Sequence, residues 1–218
     1  MLSKIFIFCC CLFVFSGCMY TQEPMPVITN DYTPTKPTKM GPVILKPTRP
    51  QTDTYGAIPR NWLPPTYSEK RWTAIVIHHS GTENGDAAIF DKWHREGNHW
   101  EGVGYDFVIG NGTDSGNGLV EVTFRWFNQQ QGAHCGGTPG NWANVEAVGI
   151  CLVGNFNNTA PTTQQMNSLV KLVRFLQNRY RIPKSRIYGH GTTPGYPGKT
   201  SCPGRKFPMA WLKSTLEF

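Results

Sequence analysis

Val148-Gly-Ile-Cys-Leu-Val153 is apolar at every position, with no polar residue to offer to solvent. A sheet with one wet face alternates apolar and polar residues, so an unbroken run of this length marks a central strand covered on both faces. Trp72 to His78 is a second buried strand run. Tyr105 to Ile109 and Leu119 to Thr123 are two short strands, separated by the turn-rich stretch Gly110 to Gly118. Helical patterns lie between them. Asp86 to Glu96 carries Ala87, Ala88, Phe90 and Trp93 at apolar positions and is expected to end at Gly97. Thr162 or Thr163 caps a longer helix to about Tyr180, with Met166, Leu169, Val170, Leu172, Val173 and Leu176 inward and Pro183 beyond its end. Arg186 to Gly189 is a last short strand. The expected class is α/β: a single domain with a mixed central β-sheet flanked by helices, and no internal repeat.

The amino-terminal quarter has a different character. Lys4 precedes Ile5 to Phe15, an apolar run of eleven residues, and Ser16-Gly17-Cys18 follows. A helix needs roughly 20 apolar residues to cross a bilayer core, so this run reads as a signal peptide, residues 1–17. Phe-Ser-Gly-Cys resembles the lipobox of bacterial lipoproteins, which implies lipidation at Cys18 and a membrane anchor in the cell envelope. Met19 is not the aspartate that commonly retains lipoproteins at an inner membrane, so an outer-membrane or periplasmic location is expected. Residues 18–54 are rich in Pro and Thr and nearly lack periodic apolar positions. They read as a tether that spans roughly 35 Å as coil and up to about 120 Å if polyproline-extended. Residues 55–71, with Trp62 and Tyr67, are an irregular lead-in to the domain at 72–218.

The net charge of +7 suits a polyanionic partner. Export argues against nucleic acid, and no basic stretch is interleaved with aromatics as in a single-strand binder. Lys171, Arg174, Arg179, Arg181, Lys184 and Arg186 are expected to form the solvated face of a helix and its exit. Of seven cysteines, Cys9, Cys10, Cys11 and Cys18 fall in the export segment. Cys151 reads as a small buried hydrophobe, and a bridge between Cys135 and Cys151 is left open.

The third remaining cysteine has a chemical context. Gly189-His190-Gly191 and Ser201-Cys202-Pro203-Gly204 bracket a Gly/Pro-shaped loop that carries an imidazole and a thiol. Both are zinc ligands, and a catalytic zinc takes three protein ligands and keeps one position open. The strand run offers the third in His78 or His79. Successive strand residues point to opposite faces, so only one of these two can join the others.

Six blocks occur in order: Ile75-Val-Ile-His78-His-Ser, Trp100-Glu-Gly-Val-Gly104-Tyr105-Asp-Phe107, Gly132-Ala-His134, Gly149-Ile-Cys-Leu-Val-Gly154-Asn-Phe156, Tyr188-Gly-His190 and Ser201-Cys202-Pro-Gly204. In this order the chain resembles the zinc-dependent N-acetylmuramoyl-L-alanine amidases of the type 2 amidase and peptidoglycan recognition protein group, over nearly all of residues 72 to 206.

That resemblance implies a function and roles. The function is hydrolysis of the amide between N-acetylmuramic acid and L-alanine in peptidoglycan, with a non-catalytic peptidoglycan-binding module as the alternative. It assigns His78, His190 and Cys202 to Zn2+, with peptidoglycan or a muropeptide as substrate and a monomer as the expected state. Tyr105 falls on a tyrosine that assists water activation and stabilises the intermediate. Thr200 falls where a second polar group stands, and His134 on a histidine that lines the substrate groove. His94 and Trp100 match family positions with a packing role, and His99 reads as surface. Two departures stand out. The spacing of twelve from His190 to Cys202 exceeds that of typical recognition proteins, and Cys151 occupies the position of a glutamate in the cytosolic recycling branch. Glu121 and Glu146 are expected to be structural or solvated.

Overall fold

The computed structural model describes residues 57–65 and 69–218. The signal peptide, Cys18 and the tether lie outside the described residues, as do Tyr67 and four other positions of the lead-in. Among the described residues one sheet is formed by β1 (Ala74–His79), β2 (Phe107–Ile109), β3 (Val120–Val122), β4 (Ala147–Leu152) and β5 (Ile187–Gly189), in the order β3-β2-β4-β1-β5. Only the β2–β3 hairpin is antiparallel, so the sheet is mixed as expected. The strand read as central is central: β4 is buried at all six positions and pairs with β1 and β2.

The two faces of the sheet differ in side-chain size. Ile75 and Ile77 of β1 register with Val148 and Ile150 of β4, and Phe107 and Ile109 continue that face. These large residues share one core with Leu169, Leu172, Val173 and Leu176 of the long helix Thr163–Tyr180. The opposite face carries small residues on the central strand, Ala147, Gly149 and Cys151, beside Ala74, Val76 and His78. The small face leaves depth for the side chains described below.

Among the described residues four α-helices accompany the long one. In chain order they are α1 (Ala87–Asn98), α2 (Phe124–Phe127), α3 (Trp142–Glu146) and α5 (Met209–Thr215), with Thr163–Tyr180 as α4. Thr162 caps α4 in a reciprocal capping box with Gln165, and Arg181 closes it in the left-handed region. All six expected inward positions of α4 are buried. Each such side chain contributes roughly 1.5–3 kcal/mol of burial, against about 1 kcal/mol for a cap, so packing on the sheet dominates.

Helix α1 runs past Gly97 to Asn98, and His99 rather than glycine takes the left-handed closing position at φ 56°. Its Trp93 is 47% exposed, and the helix is anchored inward by Phe90, which is buried, with Ala87 and Ile89 packed beside it. In the described part of the lead-in Trp62 is buried and its carbonyl accepts from Trp126 Nε1 at 3.0 Å. Part of the basic cluster is engaged rather than merely solvated. Arg179 pairs with Glu69 at 2.5 Å, and Arg186 donates to the Thr73 carbonyl at 2.7 Å. Glu121 accepts from the Ala87 amide at the start of α1, and Glu146 from Thr73 Oγ1, both structural roles.

Asp106, fully buried just before β2, accepts from the Gly149 amide at 2.7 Å through Oδ2, while Oδ1 has no hydrogen-bond partner. Burial pushes its carboxyl up to about 7, against the opposing pull of the Gly149 amide, Lys70 and Arg125. A carboxyl raised from 3.8 favours the fold fully below pH 3.8, and that contribution is lost as pH rises through about 7. The ionised form therefore costs on the order of 4 kcal/mol at alkaline pH. Asp106→Asn keeps an acceptor for Gly149 and removes the charge. Its melting temperature relative to wild type is expected to rise between pH 5 and pH 8, both proteins measured in chelator; parallel pH profiles would refute the assignment.

Candidate metal centre

His78 and His79 end β1 and part company as strand geometry requires. His78 turns to the small-residue face, where it registers with Cys151. His79 turns away: its ring lies against Phe156 and its Nδ1 accepts from the Phe156 amide at 3.0 Å. His190 follows β5, which pairs with β1, so the sheet itself brings the second imidazole alongside the first. Their ring centroids are 4.6 Å apart.

Cys202 returns to the same place through the loop after His190. The Gly191 amide donates to the Cys202 carbonyl at 2.8 Å, and a Cβ on Gly191 would lie 2.2 Å from the Thr200 carbonyl oxygen, so the loop closes only over glycine. The long spacing is taken up by an arm that docks on the start of α3. Trp142 Nε1 donates to the Pro194 carbonyl at 3.1 Å, and Tyr196 packs on His190 with ring centroids 4.4 Å apart.

One ligand atom from each of His78, His190 and Cys202 lies within 4.8 Å of the other two. Among the described residues no fourth His, Cys, Asp or Glu joins the set. Cys202 Sγ is 3.8 Å from His78 Nδ1 and accepts from the His79 amide at 3.4 Å. Nε2 of His190 is buried without a hydrogen-bond partner, as suits a nitrogen that serves as a ligand. Two imidazoles, one sulfur and an open side fit zinc in a catalytic rather than a closed structural arrangement.

Burial sets the electrostatics. It lowers His78 well below the usual imidazole range, with His134 and His190 acting in the same direction, and lowers His190 as well. Both rings are thereby neutral, the form that binds a metal. Burial pushes the Cys202 thiol up to about 12, against the pull of the His79 amide. A thiolate at this position needs a cation beside it.

Tyr105 lies between two histidines, with ring centroids 5.2 Å from His78 and 5.7 Å from His94. Burial raises the phenol well above its ordinary range, and the Cys151 and Cys202 sulfurs act in the same direction. It is therefore a neutral hydrogen-bond donor. Thr200 is exposed, and its Oγ1 accepts from the Cys202 amide at 3.1 Å, which ties it to the cysteine turn and leaves its proton to donate.

His134 departs from its expected place on the groove wall. It is 7% exposed, behind His78, with Nδ1 3.1 Å from His78 Nε2 and Nε2 3.3 Å from the Ala147 carbonyl oxygen. Burial lowers it to about 3 despite that carbonyl. His94 accepts from the Gly104 amide at 3.0 Å and its ring lies tilted against Trp100, with centroids 4.9 Å apart, which agrees with packing. Cys135 and Cys151 are both free, so the open question of a bridge between them closes in the negative.

The fold and this ordered cluster coincide with one known family. Residues 68–205 match the Amidase_2 family, described as N-acetylmuramoyl-L-alanine amidase. The chain belongs to the type 2 amidase family. It is 31% identical to the solved N-acetylmuramoyl-L-alanine amidase LysC from Clostridium intestinale URNW, with a TM-score of 0.56 over 67% of this chain and 87% of that one. A peptidoglycan recognition protein of Trichoplusia ni is 31% identical over 61% of this chain and 69% of its own length. Peptidoglycan-recognition protein SC2 of Drosophila simulans is 32% identical over 59% and 66%. Membership thus joins this chain both to amidases and to recognition proteins, and the site chemistry has to distinguish the two.

The structure brings His78, His190, Cys202 and Tyr105 together and leaves Thr200 on the rim. The residue whose position the sequence did not reveal is His134. A signal existed in the two glycines, Gly132 and Gly149, on which its ring lies: a Cβ at either would come within 2.3 Å of that ring.

Proposed function

We propose that this type 2 amidase is a zinc-dependent hydrolase of peptidoglycan, cutting the amide between N-acetylmuramic acid and the L-alanine of the stem peptide. The observation that carries this reading is the approach of His78, His190 and Cys202 ligand atoms within 4.8 Å of one another, with no fourth donor among the described residues. Bound there, zinc would supply Lewis acidity to polarise an unreactive amide carbonyl and make water nucleophilic near neutrality. The chain's own groups do the rest. His78 and His190 stay neutral in the pit, and Cys202 brings the one anionic donor. Tyr105, neutral and half-buried beside His78, donates a hydrogen bond to the oxygen that gains charge as the carbonyl carbon becomes tetrahedral. Thr200 presents a second hydroxyl from the loop. We further propose that lipidation at Cys18 and the tether at 18–54 hold a monomeric domain near its substrate in the cell envelope.

Incubation of the purified protein with defined muropeptides, analysed by mass, tests the activity. Free stem peptide and its muramyl partner are expected as products, lost on chelation and restored by zinc. Binding of muropeptide without cleavage, unaffected by chelation, would instead establish a recognition module.

A further inference from the structure

The Ala147 carbonyl can only accept a hydrogen bond, so the His134 Nε2 that faces it at 3.3 Å carries the ring proton. A buried neutral imidazole has a single N–H, which makes Nδ1 of His134 an acceptor. Nε2 of His78, facing that acceptor at 3.1 Å, is then the donor. The one remaining lone pair of His78 falls on Nδ1, the atom 3.8 Å from Cys202 Sγ. The backbone carbonyl thus dictates, through two rings, which nitrogen of His78 is free.

We propose that His134 is a positioning residue: it locks His78 in the Nε2–H tautomer and aims the Nδ1 lone pair into the cluster formed with His190 and Cys202. The inference rests on the zinc reading of that cluster. The surroundings are built for it. The His134 ring lies against Gly132 and Gly149, at each of which an added Cβ would be 2.3 Å from the ring. Asn144 Oδ1 accepts from the amides of both His134 and Cys135 at 2.8 Å and fixes the backbone that carries the ring. A ring packed against two glycines and held at both nitrogens cannot turn to exchange its donor for its acceptor. Outer partners that orient a ligating histidine in this way typically change metal affinity by roughly 10- to 100-fold when removed.

The test uses the full chain with 15N-labelled histidine, first freed of metal. Long-range 1H–15N spectra are expected to show His78 protonated at Nε2 and bare at Nδ1. His134→Phe, which keeps a planar ring and removes the acceptor, is expected to give a mixed His78 tautomer. Its zinc affinity, measured by competition with a chromophoric chelator, should fall roughly 10- to 100-fold. His134→Asn, whose Oδ1 replaces the Nδ1 acceptor, is expected to recover most of that loss. Thermal unfolding of each variant separates this effect from a damaged fold, and if His134→Phe does not fold the wild-type spectrum decides. A wild-type His78 protonated at Nδ1, or a folded His134→Phe with unchanged tautomer and zinc affinity, overturns the proposal. Failure of the wild type to bind zinc would overturn the metal reading alone, because the tautomer is read without metal.

Discussion

Cys202→Ala is expected to lose zinc and hydrolysis together. Cys202 is the one donor of the three that can carry negative charge, and it lies 3.8 Å from His78 Nδ1 in a buried pit. Without it a divalent ion would face two neutral imidazoles, with its charge uncompensated and desolvated, and a buried unpaired charge is strongly unfavourable. Zinc affinity should therefore fall by more than the roughly 10- to 100-fold typical of outer-shell changes. Stability in chelator should change little by comparison, because a thiol pushed up to about 12 is uncharged in the metal-free protein and contributes there as a small apolar group. Metal content by elemental analysis, with hydrolysis assayed on the same preparation, checks the prediction. Cys151→Ala is the matched control, a buried thiol outside the donor set, and it is expected to retain its zinc. Normal zinc content in Cys202→Ala would remove Cys202 from the ligand set.

Much of this arrangement was legible in the residues, for identifiable reasons. The strands and α4 were found because their apolar pattern is long enough to have a period, and because Thr162 and Pro183 punctuate α4 chemically. Alternation along β1 limited the histidine pair to one member at the centre, and the structure turns His78 inward and His79 toward Phe156. The elements missed were short: α2, α3 and α5 have four, five and seven residues, too few to establish a 3.6-residue period. Trp93 misled because an aromatic in a helix suggests burial, yet it is 47% exposed. The uniform apolarity of Val148 to Val153 concealed a second message. Its residues alternate large and small, and the small ones, Gly149 and Cys151, form the floor on which His134 and Tyr105 rest. The place of His134 depends on Gly132, Gly149 and the Ala147 carbonyl meeting in space, a relation between separate segments that no local pattern carries.

Tyr105→Phe is expected to keep zinc while hydrolysis falls by roughly 100- to 1000-fold, the usual consequence of losing one preorganised donor to a developing oxyanion. Zinc retention follows from geometry: Tyr105 contributes no atom to the His78, His190 and Cys202 set, and Phe preserves the ring that packs 5.2 Å from His78. The loss follows from charge. Burial holds the phenol well above its ordinary range, so at neutral pH Tyr105 keeps its proton and serves as a donor rather than a base. In the resting protein the groups acting on that phenol are the Cys151 and Cys202 sulfurs, and sulfur is a weak acceptor. An oxygen gaining negative charge is a far stronger one, so the bond strengthens as the transition state is approached and contributes little before it. An interaction of that kind acts on kcat more than on substrate affinity. Steady-state kinetics on a defined muropeptide should show kcat and kcat/KM falling together with KM nearly constant. If instead KM alone rose, Tyr105 would be a binding residue, and undiminished turnover would remove it from the chemistry altogether.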